Sequence, residues 1–168
     1  MRKSWFRRFF NRTLHLMARF LPGSTNLRPF LHRLRGVKIR GKVFIGDDVY
    51  LENEYPECVE MNDGAAIGLR STIVAHTQGS GKIVIEKNAV IMTSCTVVCS
   101  RGRTLTIGEG SVVAAGSVVL NDIPAHSLCS GPRIRVVADV TVPFSSEISH
   151  EQFIRGLRPL RAADKKGK

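Results

Sequence analysis

From Val37 onward the apolar positions of the chain fall on a short, regular period. Ile39, Ile45 and Leu51 stand six apart, and so do Met61, Ile67 and Ile73, then Ile85, Ile91 and Val97, then Ile107, Val113 and Val119. Four residues after an aliphatic position come Val43, Val49, Ala65, Ser71, Ala89, Cys95, Ser111 and Ser117, all compact enough for a second inward slot. A period of six is neither the two of a flat strand nor the 3.6 of a helix. Taken in threes it predicts a triangular coil of about 18 residues, a parallel β-helix whose coils stack about 4.8 Å apart. Backbone hydrogen bonds would then run between coils, so both ends are raw edges that need caps.

Before Val37 the period is helical. Placed at about 100° per residue, residues 4–21 gather Trp5, Phe6, Phe9, Phe10, Leu14, Leu16, Met17, Phe20 and Leu21 on one half of the wheel, with Thr13 their only polar companion. Arg7, Arg8, Asn11, Arg12, His15 and Arg19 take the other half, and Pro22 and Gly23 stop the helix. A second helix is predicted over Leu27–Arg35, closed by Gly36, and a C-terminal one over Ser145–Leu157, followed by a frayed tail. The chain therefore divides into a basic helical segment (1–36), a β-helix (37–143) and a C-terminal helix with a basic tail (144–168). The N-terminal helices can cover one end of the β-helix, and the C-terminal helix can pack beside or over the other.

Charge changes this picture at one end only. Residues 1–46 hold 12 of the 25 Lys and Arg and none of the 14 Asp and Glu, so the remainder is nearly neutral although the whole chain carries +11. Basicity confined to one segment argues against a nucleic-acid-binding body. It fits an anionic membrane surface, on which the rings of residues 1–21 would bury at the headgroup boundary, or equally a helix packed on its own protein or a neighbouring subunit. The arginines interrupt every apolar stretch long enough for a signal-peptide core or a membrane span. Cys58, Cys95, Cys99 and Cys129 show no CxxC pair or zinc spacing, which reads as free thiols in a cytoplasmic protein with no metal.

The runs "VFIGDDVYLENEYPECVEMNDGAAIG", "STIVAH", "IVIEKNAVI" and "TIGEGSVVAAGSVVLNDIPAHSLCSG" resemble the hexapeptide-repeat acyltransferases, in particular the branch around maltose, xenobiotic and capsular or lipopolysaccharide sugar O-acetyltransferases. The similarity covers roughly residues 37–137. It implies a left-handed β-helix, a homotrimer, acetyl-CoA as co-substrate in the groove between subunits, and a loop histidine reaching the acceptor hydroxyl.

His76 is the candidate base. It lies three residues beyond Ile73; the same offset gives Glu54 one coil earlier and Ser100 one coil later, so these three are expected to form a column on one corner, with Glu54 fixing the imidazole. Twelve residues separate Ile73 from Ile85, so "HTQGSGK" should project as an acceptor loop. A solvated Glu/His pair without a role is the alternative. On the donor side the resemblance maps the pantetheine contacts to Ala115, Gly116 and Ser117, although Ser117 also fits an inward slot. Arg133 and Arg135 fall near the family's phosphate-binding cations. "VVLNDIP" and "SGPRIRVV" depart from the family's pattern there, and Lys87, Arg101 or Arg103 could serve instead. "GSGK" lacks the rest of a phosphate-binding loop, and there is no GxSxG nucleophile elbow.

The expected function is transfer of acetyl from acetyl-CoA to a sugar hydroxyl in cell-surface polysaccharide or lipid-linked glycan synthesis. N-acetylation of an amino-sugar and a non-catalytic β-helix assembly module are the alternatives. A zinc carbonic anhydrase on this scaffold would need three interfacial histidines, and the coils supply only His76.

Overall fold

A computed structural model of the protein describes residues 5–77, 81–131, 138–141 and 149–159. They belong to two compact units, Met1–Gly131 and Pro132–Lys168.

The first unit is a parallel β-helix with three flat faces. Sheet 1 stacks β1 (Lys38–Ile39), β4 (Val59–Met61), β7 (Lys82–Ile85) and β10 (Thr104–Ile107). Sheet 2 stacks β2 (Phe44–Ile45), β5 (Ala66–Ile67), β8 (Val90–Ile91), β11 (Val112–Val113) and β13 (Leu128–Cys129). Sheet 3 stacks β3 (Tyr50–Leu51), β6 (Thr72–Thr77), β9 (Thr96–Ser100) and β12 (Val118–Val119). The register joins like to like: Ile39–Met61–Ile85–Ile107, Ile45–Ile67–Ile91–Val113 and Leu51–Ile73–Val97–Val119 are columns of directly paired residues. These are the aliphatic positions of the six-residue repeat, and all but half-buried Ile39 are sealed in the core. Ile123 and Cys129 continue the columns into a fifth, partial coil, by a bridge to Ile107 and by pairing with Val113.

The compact second-slot residues are also buried. They follow corner residues of left-handed conformation, among them the column Asp48, Arg70, Ser94 and Gly116. The corners leave little room between coils elsewhere: a β-carbon on Gly68 would lie 2.6 Å from backbone atoms of Met92 and Thr93.

Helices α1 (Trp5–Phe20) and α2 (Leu27–Arg35) cap the first coil. Gly36, at φ 108, closes α2 in the left-handed conformation. Edge amides that have no preceding coil find partners in the helical segment: Ile45 N–H donates to Ser24 O (2.9 Å) and Asp48 N–H to Arg19 O (3.0 Å). Buried Arg28 donates to Leu21 O and Ile45 O and pairs with Asp47, while Arg19 pairs with Asp48. The apolar contact between the helices is small, comprising Leu14, Ala18 and Leu31 with Leu21 against them.

Both helices are seated by their polar side. In α1 the body receives Asn11 (4% exposed), Leu14, His15 (3%) and Ala18, whereas Trp5 (78%), Phe6 (72%), Phe9, Phe10, Leu16, Met17 and Phe20 (69%) face outward. In α2 the buried side carries Arg28, Pro29, Leu31, His32 and Arg35, and Leu27, Phe30 and Leu34 are exposed.

In the second unit β14 (Ala138–Val140) pairs antiparallel with β15 (Leu157–Pro159), and α3 (His150–Arg155) lies between them in sequence. Ser149 and Gln152 form a reciprocal cap, Gln152 N–H donating to Ser149 Oγ and Ser149 N–H to Gln152 Oε1. The helix expected over Ser145–Leu157 is thus corrected at its end. Gly156 closes it, and Leu157 joins a strand because Val140 offers it a partner. Residues 145–148 of that expectation lie outside the described ones.

Candidate active site

Strand β6 is longer than the strand beneath it in sheet 3, and its extension is irregular. Val74 pairs with Val98 but Thr77 with Ser100, so two residues, Ala75 and His76, face the single Cys99. This β-bulge re-aims the imidazole. Ala75 N–H is turned from the ladder and donates to Glu52 Oε2 at 2.7 Å, and Ala75 O accepts Gly81 N–H at 2.6 Å.

His76 Nδ1 lies 2.7 Å from the same Glu52 Oε2. Glu52 is wholly buried, and its other oxygen accepts the backbone N–H of Glu54 (2.9 Å) and Tyr55 (3.1 Å). A carboxylate can only accept, so Nδ1 of His76 carries the proton and Nε2 is left as the basic nitrogen. The imidazole is about one-third exposed, with the Tyr55 ring centroid 6.2 Å away. The geometry is that of a general base held in one tautomer, able to take a proton at Nε2 while Glu52 stabilises the resulting cation.

The carboxylate on His76 is therefore Glu52, two residues before Glu54. Glu54 contributes a backbone N–H to Glu52, and its side chain lies 4.0 Å from Arg12 of α1. The offset arithmetic missed this because it carried the first coil straight on through Glu54, whereas β3 ends at Leu51 and the chain bends at Asn53 and Glu54; toward the third coil the bulge leaves Ser100 opposite Thr77. A signal for Glu52 was present: a glutamate directly after the inward-facing Leu51, on the coil preceding His76.

Glu52 is supported from behind. Arg35, fully buried at the end of α2, donates from Nη2 to Leu51 O (3.2 Å), Glu52 O (2.7 Å) and Asn53 Oδ1 (3.3 Å), and from Nη1 to His32 Nδ1 (2.9 Å). Burial lowers the Arg35 pKa to about 10, with attraction to Glu52 opposing that fall. His32 and His15 lie beyond it. Their burial and the nearby Arg35 push His15 down to about 3 and His32 well below its ordinary value, so both are neutral. His15 also meets the Tyr50 ring edge-on at 4.9 Å.

The donor candidates occupy other corners. Ala115 and Gly116 are exposed and Ser117 is buried, at the turn from sheet 2 to sheet 3 on the fourth coil, whereas His76 lies where sheet 3 turns to sheet 1. Ser117 Oγ accepts Gly131 N–H at 3.0 Å. Gly116 has φ +72, and a β-carbon there would meet nothing within 4 Å, while the same corner carries side chains on the three coils below. Such an open, side-chain-free turn suits close approach of an extended thioester arm to the backbone. Lys87 is exposed on the turn from sheet 1 to sheet 2, away from both groups. Exposed Arg101 and Arg103 share His76's corner one coil further on. Arg133 and Arg135, and residues 78–80 of the expected acceptor loop, lie outside the described residues. Among the described residues a cavity of about 220 Å³ lies at the last coils, lined by inward-facing Val113 and Val119, by the donor candidate Ser117 and by exposed Val118 and Leu120.

No family model matches the chain. It is 27% identical over 151 residues to a serine acetyltransferase of Bacillus pumilus, a match covering 86% of this chain and 65% of that protein. It is 33% identical over 117 residues to a Schizosaccharomyces pombe protein provisionally named a serine acetyltransferase (66% and 42% covered). It is 47% identical over 51 residues to a Staphylococcus aureus protein provisionally named an acetyltransferase (30% and 26%). The chain thus spans less than two thirds of each of these relatives, and what they share in name is acetyl transfer.

Proposed function

We propose that the protein is an acetyl-CoA-dependent acyltransferase that acetylates a sugar or glycan hydroxyl on the cytoplasmic side. The observation that carries this reading is the 2.7 Å contact between His76 Nδ1 and buried Glu52, which leaves Nε2 as a base. Nε2 takes the acceptor proton as the hydroxyl oxygen attacks the thioester carbonyl. The imidazolium rests on Glu52. When the tetrahedral intermediate collapses, the C–S bond breaks and the CoA sulfur leaves with the proton returned by His76. The open, side-chain-free backbone of the Ala115–Gly116 turn receives the donor arm, and Arg101 and Arg103 supply cations for its phosphates. Tyr55, half-exposed beside His76, offers a ring for the apolar face of a sugar.

A homotrimer follows from the same reading. One chain sets its base and its donor turn on different corners, and a threefold assembly brings different corners of neighbouring chains together. Light scattering should give three chains; an active monomer at micromolar concentration would overturn it.

The names of the relatives favour a second acceptor, the hydroxyl of serine. Release of CoA measured against free sugars, amino-sugars, lipid-linked sugars and L-serine separates the readings. His76→Ala should retain acetyl-CoA binding and fold while turnover falls roughly 100-fold or more. Near-full activity of that variant on the preferred acceptor would remove His76 from the mechanism, and no acetyl-CoA binding at all would point to a non-catalytic assembly module.

A further inference from the structure

The orientation of α1 is opposite to what its amphipathicity would give in a helix folded onto its own body. Over an arc of somewhat less than half the wheel, running through Trp5, Leu16, Phe9, Phe20, Phe6, Met17 and Phe10, the large apolar side chains point away from the protein. Soluble surfaces rarely leave such a contiguous apolar face without a partner. On the helical wheel one edge of the arc is bordered by Arg8, Arg12 and Arg19. The helix contains no acidic residue, and none precedes Asp47.

We propose that this face docks on an anionic lipid surface, with the rings at the headgroup boundary and exposed Arg8 and Arg12 toward the phosphates, Arg19 being held by Asp48. Charge selects lipid over a second copy of the chain. An isologous pairing through α1 would bring two sets of arginines together with no carboxylate on either helix to meet them. Lipid supplies both an apolar layer and the opposite charge. The described helices include none long and apolar enough to cross a membrane, so the contact lies in the surface plane.

The position of α1 also bears on the acceptor, a part that rests on the acetyl-transfer reading. Arg12 of α1 lies 4.0 Å from Glu54, His15 packs on Tyr50, and Asp48 is tied to Arg19. These contacts run along the segment that carries Glu52 and Tyr55, the neighbours of His76. A docked α1 holds that segment close to the lipid surface, which suits an acceptor glycan that is itself lipid-borne.

Co-sedimentation of the full chain with phosphatidylcholine vesicles, with or without one-quarter phosphatidylglycerol, tests the docking independently of catalysis. The chain should bind the anionic vesicles and be released in 0.5 M NaCl, roughly as screening of several cations requires. Replacing exposed Trp5 and Phe9 together by Ser should weaken binding at least about tenfold without moving the thermal midpoint, because neither side chain packs on the body. Absence of vesicle binding, or equal binding by the double variant, overturns the proposal. So does a variant that falls apart into smaller species in light scattering, which would make the face a contact between copies. The acceptor part is read separately, as the ratio of turnover on a lipid-linked oligosaccharide in vesicles to turnover on the same oligosaccharide free in solution. The double variant should lower that ratio and leave turnover on the free sugar unchanged. An unchanged ratio with vesicle binding lost would overturn the acceptor assignment alone.

Discussion

The β-helix and the two helices that cap it treat apolar residues in opposite ways. In the coils Ile67, Ile91 and Val113 are sealed in one column while their outward neighbours are wetted. In the cap the rings of α1 are wetted, and Arg35, His32 and His15 are sealed. The difference is geometric. A coil of three short strands has one inside, so a residue's place in the six-residue repeat dictates its burial. A helix on the outside has a well-defined apolar face, but nothing in its own period says whether that face looks at the body, a neighbour or a membrane.

This contrast can be broken by substitutions whose effects should descend in a definite order. The largest loss of stability belongs to the columns: Ile67→Ala leaves a cavity between Ile45 and Ile91 and should cost roughly 2–5 kcal/mol, measured by denaturant unfolding. Glu52→Ala comes next: Ala75 N–H is left as a buried unsatisfied donor at about 1–3 kcal/mol, while those of Glu54 and Tyr55 lie near the surface, where water replaces the carboxylate. Glu52→Gln keeps the shape but turns an amide N–H group toward at least one of these backbone donors, so it should cost less than the alanine variant yet slow turnover by roughly tenfold or more, because an amide cannot stabilise the His76 cation. Wild-type turnover in Glu52→Gln would show that the carboxylate only braces the backbone. Smallest of all, Trp5→Ser should change stability by no more than about 0.5 kcal/mol. A cost comparable to Ile67→Ala would mean that the aromatic face is an inner surface of the assembled protein.

Much of the scaffold was legible because the repeat is redundant. Every aliphatic position is confirmed by its partner in the next coil, so the columns, the compact second slots and the Gly36 stop of α2 could be read from spacing. His76 could be placed at a strand end for the same reason. Its carboxylate could not, because counting in sixes carries the first coil straight on through Glu54, whereas β3 ends at Leu51 and the chain bends there, so that Glu52 is the residue that reaches Ala75 N–H and His76. The seating of α1 was illegible for a different reason. Asn11 and His15 look like solvent-facing residues until Tyr50, Arg35 and the unpaired edge of the first coil are brought beneath them.

The sealed histidines give the cap a chemistry of its own. Unfolded, His15 and His32 would titrate near 6.5; folded, burial first and then nearby cations, Arg35 for both, Arg19 for His15 and Arg28 for His32, hold them far lower. Because the folded values are depressed, the opened chain binds more protons below pH 6.5, so stability is full above that pH and drains away as pH falls toward 3. The slope is about 1.4 kcal/mol per pH unit for each histidine involved. The opening that admits those protons need not be global, since α1 and α2 are fastened to the coils by a few polar ties and only a small apolar contact joins them. Mild acid should therefore peel the helices from the first coil before the columns yield, exposing the bare β-edges of Ile45 and Asp48. In hydrogen exchange at pH 5 the amides of those two residues would lose protection ahead of Ile91, and acidification would leave the first coil with a sticky edge.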